Sequence, residues 1–288
     1  MSDFQAELAL SLDLASRAGT LASSFISERG AGVESTEKPN DGGPVTAADL
    51  AVNRLLVDAL TESFPDDVIL AEESAPEATR RGQWGPDTRV WMVDPIDGTR
   101  EFSQGLDAWA VHIGLCVGGT PVLGVVARPA LGQLLWGSRG AGAWIRDGGD
   151  ERSLAAPAVA VENPRMISSA SRPSHHILAL AEALGIDDAD RIRSGSTGVK
   201  MSRLALGEAE LYPHASGGLK HWDLCAPQAI LEASGGRVTD LRGQPLRYDS
   251  DRLHHPGGLL ATRALDHASI VALIARIGDA WFDDGELV

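Results

Sequence analysis

The stretch Trp91-Met92-Val93-Asp94-Pro95-Ile96-Asp97-Gly98-Thr99-Arg100-Glu101 decides the reading of this chain. Its first three residues are apolar and follow a turn-rich segment, so they form a short buried strand that delivers Asp94 and Asp97 to its end. Pro95 and Gly98 then turn the chain away. Three carboxylates and a hydroxyl crowd this run, and like charges held so close repel unless a cation neutralises them. Hard divalent ions with oxygen ligands do that best, and Mg2+ is the ion expected.

Other acidic positions must contribute, because one loop cannot supply every ligand of a site holding several ions. In Ala71-Glu72-Glu73-Ser74, which follows the apolar Val68-Ile69-Leu70, either Glu72 or Glu73 sits at a second strand end. Asp49 falls on the first turns of a helix whose cap is Thr46. In Trp222-Asp223 an aromatic and a carboxylate open an apolar helix, and taken alone Asp223 reads as a helix cap.

The composition narrows the partners. The chain has 288 residues, 43% hydrophobic and 23% charged, enough for one large domain or two ordinary ones. Its formal charge of -15 argues against a nucleic-acid polymer, since phosphate backbones need clustered Lys and Arg. A small anionic ligand held through metal ions remains allowed. Met1-Ser2-Asp3-Phe4-Gln5 lacks the basic and apolar regions of a secretory signal, and no apolar run nears the ~20 residues of a membrane span. The expected compartment is the cytoplasm, with Cys116 and Cys225 as reduced core thiols.

Apolar residues at helical spacing predict helices over residues 3–28 and 46–63. From Val111 to Ile145, short β-like runs separated by Gly and Pro predict an antiparallel meander. Residues 148–164 lack periodicity and are rich in Gly, Pro, Ala and charge. The domain boundary is therefore expected there, between an N-terminal α+β domain over 1–155 and a C-terminal α/β domain over 156–288. In the second, helices near 174–185, 197–207 and 223–234 alternate with short strands.

Pro44-Val45-Thr46 with Asp49, Glu72-Glu73-Ser74, Asp94-Pro95-Ile96-Asp97-Gly98-Thr99, Trp222-Asp223 and Glu232-Ala233-Ser234-Gly235-Gly236 occur in that order over nearly the whole chain. Together they resemble the inositol monophosphatase superfamily of Mg2+-dependent, lithium-sensitive phosphatases. The resemblance implies a layered α/β/α/β/α sandwich and two or three Mg2+ ions per active site. It also implies that Glu72, Asp94, the Ile96 carbonyl, Asp97 and Asp223 ligate metal, with Glu73 orienting rather than ligating. Thr99 and Asp49 would position and deprotonate the attacking water, and the Gly98 and Thr99 amides would hold phosphate oxygens at a helix start. Relatives are often dimers, and the meander is expected to offer an apolar surface to a second copy.

The substrate is read from finer likenesses. Arg100-Glu101-Phe102 is similar to the Lys/Arg-Glu-Phe of the 3'(2'),5'-bisphosphate nucleotidases. The run from Lys38 to Asp49 resembles the same branch, with one extra residue before Asp41 and Gly43 in place of a Ser. Gly195-Ser196-Thr197-Gly198-Val199-Lys200 is similar to the segment that holds adenosine and its 5'-phosphate, which implies contacts from Ser196 and Lys200. Tyr212-Pro213 also matches, whereas His214 stands where these enzymes often carry Arg. The implied reaction is hydrolysis of 3'-phosphoadenosine 5'-phosphate to AMP and phosphate, in sulfur-nucleotide recycling. The alternatives are an inositol or other sugar phosphatase, including one acting on fructose 1,6-bisphosphate, and a non-catalytic sensor of such ligands.

Plainer readings stand beside these roles. Lys200 and Arg203 can be the exposed basic face of a helix, and Arg100 can pair with Glu101 or Asp107. His112 reads as a core histidine, His175-His176 and His254-His255 as loop residues, and Trp222 as packing under the site.

Overall fold

Helical spacing in α1 (Gln5–Ser23) and α2 (Ala47–Ser63) brings Leu14, Ala18, Ala22, Val52, Leu56 and Leu60 into one shared core, where each is fully buried. A leucine buried this way contributes about 1.5–3 kcal/mol. The computed structural model describes residues 4–26, 33–38, 43–74, 84–157, 160–170, 174–216, 218–249, 252–277, 282–283 and 286–287. Asp41 and the ends of the first helix as read from sequence lie outside them.

The two helices cover one face of a seven-stranded sheet, packing on Trp91, Val93, Val111, Ile113, Leu123 and Val125. Its strands run in chain order: β3 (Val68–Ala71), β4 (Arg89–Asp97), β5 (Ala110–Val117), β6 (Thr120–Arg128), β7 (Gln133–Ser138), β8 (Gly142–Asp147) and β9 (Asp150–Leu154). Only β3 and β4 are parallel; the rest form the expected meander. A short hairpin, β1 (Ser35–Glu37) and β2 (Pro44–Thr46), precedes α2.

The other face of this sheet receives α5 (Thr197–Leu206) and α6 (His221–Ala233), whose far side packs on Tyr212, Val238, Leu259 and Ala261 of a second sheet. That sheet has the order β11 (Arg191–Ser194), β10 (Met166–Ser169), β12 (Leu211–His214), β14 (Leu259–Thr262) and β13 (Arg237–Thr239). Its outer face carries α4 (His175–Ala183) and α7 (His267–Ile277), joined through Leu180, Ile270, Ile274 and Leu260. The layers are thus α/β/α/β/α, as the resemblance implied.

One seam determines where α6 lies. Gly114, Gly124 and Gly137 pair across β5, β6 and β7, so three adjacent strands lack side chains along one line. Helix α6 rests on it: a Cβ at Gly124 would stand 2.1 Å from the Ala226 carbonyl oxygen, and one at Gly137 would stand 2.9 Å from Ile230 Cα. From sequence Gly114 and Gly124 fall inside β-like runs and Gly137 just after one, with no packing role assigned to any of them. They form a bed that lets helix backbone approach sheet backbone.

Four further expectations change. Strand β9 occupies residues read as structureless; it is an edge strand with an exposed, charged run from Asp150 to Ser153, which hides the alternation. His175 and His176 begin α4 behind the Ser174 cap instead of lying in a loop. His255 is buried, its ring 4.7 Å from His221 and 5.0 Å from Tyr248. The meander offers little apolar surface, because β5, β6 and β7 are buried by the chain's own helices. No helix among the described residues is long and apolar enough to cross a membrane. Cys116 and Cys225 are free and buried, and burial pushes the Cys116 thiol up to about 12.

Gly124→Ala is expected to destabilise the protein by roughly 1–3 kcal/mol, the usual cost of forcing a methyl group into a filled interior. Urea unfolding measures this, and an unchanged midpoint would refute the close approach of α6 to the sheet.

Candidate active site

Strand pairing delivers the first carboxylates. Ala71 of β3 is in register with Val93 of β4, so Glu72 and Asp94 leave the ends of neighbouring parallel strands side by side. Strand β4 runs on to Asp97, and its pairing with β5 slips between Asp94 and Asp97, where Pro95 and Ile96 bulge. Asp94 is 1% exposed, and its Oδ1 accepts the Ile96 amide at 3.1 Å. Gly98 follows at φ 92, a left-handed conformation, and a Cβ there would stand 2.9 Å from the Ala108 carbonyl. It opens the short helix α3 (Thr99–Ser103).

Two helix starts bring the remaining acids. Asp49, the third residue of α2, accepts the Thr46 amide at 2.8 Å and the Thr46 hydroxyl at 2.5 Å, both through Oδ2. Its Oδ1 faces Thr99 Oγ1 at 3.2 Å, and that hydroxyl also lies 3.0 Å from the Ile96 carbonyl. Asp223, the third residue of α6, accepts the Lys220 amide through Oδ2 at 2.7 Å. For both residues the cap and the site are one arrangement. In each, Oδ2 anchors the carboxylate to the residue that precedes its helix, and in Asp49 the other oxygen meets Thr99.

The electrostatics follow from this crowding. Burial, then the charges of Glu72, Asp97 and Asp223, hold Asp94 well above the usual carboxylate range. Burial, then Asp97 and Glu72, do the same to Asp223. Asp49 is also raised, chiefly by burial. Asp97 goes the other way: burial would raise it, but the His112 ring, the Ser196 hydroxyl and the Gly198 amide bring it down to about 2. Lys38 bridges Glu72 at 2.7 Å and Glu73 at 2.5 Å, and these partners raise it although burial pulls it down. Glu73 is nonetheless raised, with burial the largest cause.

This donor set fits a hard divalent cation: all oxygen, strongly anionic, and with carboxylates that disfavour one another's charge. Among the described residues no three His, Cys, Asp or Glu side chains close around a common point, each carboxylate being turned toward protein donors.

Of the residues expected to meet substrate, Ser196, Lys200 and His214 lie in the C-terminal half of the chain and Arg100 on α3. Ser196 caps α5, accepting the Val199 amide at 2.9 Å and donating to Asp97 Oδ2 at 2.6 Å, so its hydroxyl is already engaged. Lys200 is not on an exposed helix face: it is 4% exposed, donates to the Gly195 carbonyl, and lies 5.2 Å over the Tyr212 ring. Burial lowers its pKa to about 8 despite Asp97, Glu101 and Asp223. His214 hydrogen-bonds Ser216 at 2.7 Å, and burial, then Lys200, lower it to about 4. Arg203 pairs with Glu208 at 2.8 Å. Arg100 is exposed and forms no ion pair with Glu101, Asp107 or any other described residue. A cavity of about 890 Å3 lies between the end of α6 and the start of α7 and is lined by none of these residues.

The grip of Lys38 on both glutamates and the contact of His112 with Asp97 were not legible in sequence. The one available signal was His112 itself, a polar residue in an otherwise apolar strand two residues from the glycine seam.

Comparison with known proteins places the chain in a family. The 3'(2'),5'-bisphosphate nucleotidase 1 of Mus musculus is 31% identical over 289 aligned residues, covering 88% of this chain and 89% of that protein. The 3'(2'),5'-bisphosphate nucleotidase CysQ of Escherichia coli K12 is 33% identical over 208 residues, covering 72% and 80% respectively. Among solved structures, an IMPase of Thermotoga maritima superposes with a TM-score of 0.74 at 25% identity, over 95% of this chain and 98% of that one. A sequence model of the inositol monophosphatase family matches residues 4–276, and this chain belongs to that family of phosphatases.

Proposed function

We propose that this protein is a Mg2+-dependent phosphatase that removes the 3'-phosphate of 3'-phosphoadenosine 5'-phosphate. Lys200 carries the reading. A cation 96% removed from solvent, with a single carbonyl and an aromatic face as partners, is under-compensated, and a second phosphate on the substrate completes it. An inositol monophosphate has no such group. The names of the mammalian and bacterial relatives support the same substrate class.

Mg2+ held by Glu72, Asp94, the Ile96 carbonyl, Asp97 and Asp223 would supply charge neutralisation for the phosphoryl group, the attacking water and the leaving alkoxide. The protein's own part is positional and acid–base. Thr99 donates toward Asp49 Oδ1, which leaves its hydroxyl lone pairs to accept a proton from water. That proton passes through the hydroxyl to Asp49, whose burial has already raised its proton affinity. The water oxygen forms its bond to phosphorus opposite the 3'-oxygen, whose bond to phosphorus breaks with the electron pair staying on oxygen. The Gly98 and Thr99 amides at the start of α3 hold the phosphate in line.

A sugar phosphate is the second reading, favoured by His214: a neutral imidazole fixed by Ser216 suits a hydroxyl better than a phosphate. Phosphate release from 3'-phosphoadenosine 5'-phosphate, inositol 1-phosphate and fructose 1,6-bisphosphate separates the two. The expected preference in kcat/KM for the nucleotide is about a hundredfold, or about 2.7 kcal/mol; preference for either sugar would reject it. Thr99→Ala is expected to lower kcat by about 10²–10⁴-fold with KM little changed, as befits loss of proton transfer.

The Lys200 reading also sets a pH dependence. Its ammonium is charged below about pH 8 and loses its charge above it. KM for the bisphosphate is therefore expected to rise above that pH, while KM for 3'-AMP, which lacks the 5'-phosphate, stays level. In Lys200→Met the two profiles are expected to become parallel; a parallel pair in the unaltered enzyme would remove Lys200 from the substrate site.

A further inference from the structure

His112 sits where three site-bearing elements meet. On β5 it is fully buried and stands directly across from Asp94 in the β4–β5 register. Its Nε2 lies 3.2 Å from Asp97 Oδ2, within ion-pair range though not aligned as a hydrogen bond. Its Nδ1 faces the carbonyl of Trp222 at 3.3 Å, and the next residue is Asp223. The ring reaches Asp97 because residue 198 has no side chain: a Cβ on Gly198 would stand 1.8 Å from Nε2.

The consequence is a carboxylate held by one oxygen. The His112 ring from β5, and the Ser196 hydroxyl and Gly198 amide from α5, all converge on Oδ2 of Asp97. Among the described residues Oδ1 has only the Thr197 amide, at 3.2 Å. The carboxyl group is thereby turned, with Oδ1 the oxygen presented to a ligand. The same ring touches the carbonyl preceding Asp223, so one side chain spans two of the proposed metal ligands. A histidine placed merely to fill the core would not need either contact.

We propose that His112 is a positioning residue of the metal site, aiming the Asp97 carboxylate and tying it to the start of α6, so that it sets divalent-ion affinity without touching ion or substrate. The proposal rests on the metal-site reading given above. Groups that orient a ligand in this way typically change metal affinity by 10–100-fold when removed.

The test is calorimetric titration of Mg2+ into the purified full chain without substrate, alongside melting temperatures, for the unaltered protein and three variants. His112→Ala is expected to weaken binding by about 10–100-fold. His112→Gln, whose amide nitrogen reaches as far as Nε2, is expected to recover affinity to within about fivefold, whereas His112→Asn, which reaches only as far as Nδ1, stays as weak as the alanine variant. The order of affinities is not expected to follow the order of melting temperatures. Unchanged affinity in His112→Ala, or equal loss in the Gln and Asn variants, would overturn the proposal while leaving the metal site standing. Absence of Mg2+ binding by the unaltered protein would overturn both. Should the alanine variant fail to fold, the Gln–Asn pair decides.

Discussion

Four acidic side chains that repel one another share one small volume, and the rest of the structure depends on how that repulsion is contained. No single element could carry them all, because neighbouring positions on a strand point to opposite faces and a helix start has room for one inward acid. The fold brings Glu72 and Asp94 from parallel strand ends, Asp97 from beyond a bulge and Asp223 from a helix start. Each has a protein partner: Lys38 for Glu72, the Ile96 amide for Asp94, the Ser196 hydroxyl, the Thr197 and Gly198 amides and the His112 ring for Asp97, and the Lys220 amide for Asp223. Asp94 and Asp223 still sit well above the ordinary carboxylate range. The protein partners therefore position the charges more than they neutralise them, which is the condition under which a cation binds with most effect.

The glycine seam serves the same end from a distance. Side chains on Gly114, Gly124 or Gly137 would lift α6 from the sheet and carry Asp223 away from Asp94 and Asp97. Packing of a helix on a sheet and assembly of a reactive site are here one structural fact. The same economy appears in Asp49 and Asp223, where helix capping aims the carboxylate, so the structural and chemical readings of these residues coexist. On the opposite side, α5 caps onto Asp97 through Ser196 and Gly198 and carries Lys200 one turn further along. The proposed substrate contact and the proposed metal ligands are thus joined through a single helix start.

Much of this was legible beforehand. The meander, α2 and its Thr46 cap, and the turn at Gly98 follow from periodicity and turn chemistry within short windows, whereas the five layers were implied by the family resemblance. What was misread shares one cause. Of the two readings of Lys200, substrate contact or exposed helix face, the second fails: a lysine on an amphipathic helix usually faces water, yet α5 lies between two sheets and has no such face there. Strand β9 was missed because an exposed edge strand carries little hydrophobic alternation. The apolar surface of the meander was overestimated because its covering helices come from both ends of the chain.

The amino-acid sequence by itself determined the local chemistry: which residues turn the chain, which cap helices, which carboxylates stand at strand ends, and in what order they occur. Local sequence carries that information because backbone sterics, capping and side-chain periodicity act over a few residues. Only the tertiary structure decided that Lys38 grips two glutamates, that His112 faces Asp97 across the space left by Gly198, and that Lys200 is buried beside Tyr212. Those facts depend on contacts that reach beyond local windows, 12 residues for Lys200 and Tyr212 and 34 for Lys38 and Glu72, where the covering neighbour and not the residue's own pattern sets burial, distance and charge.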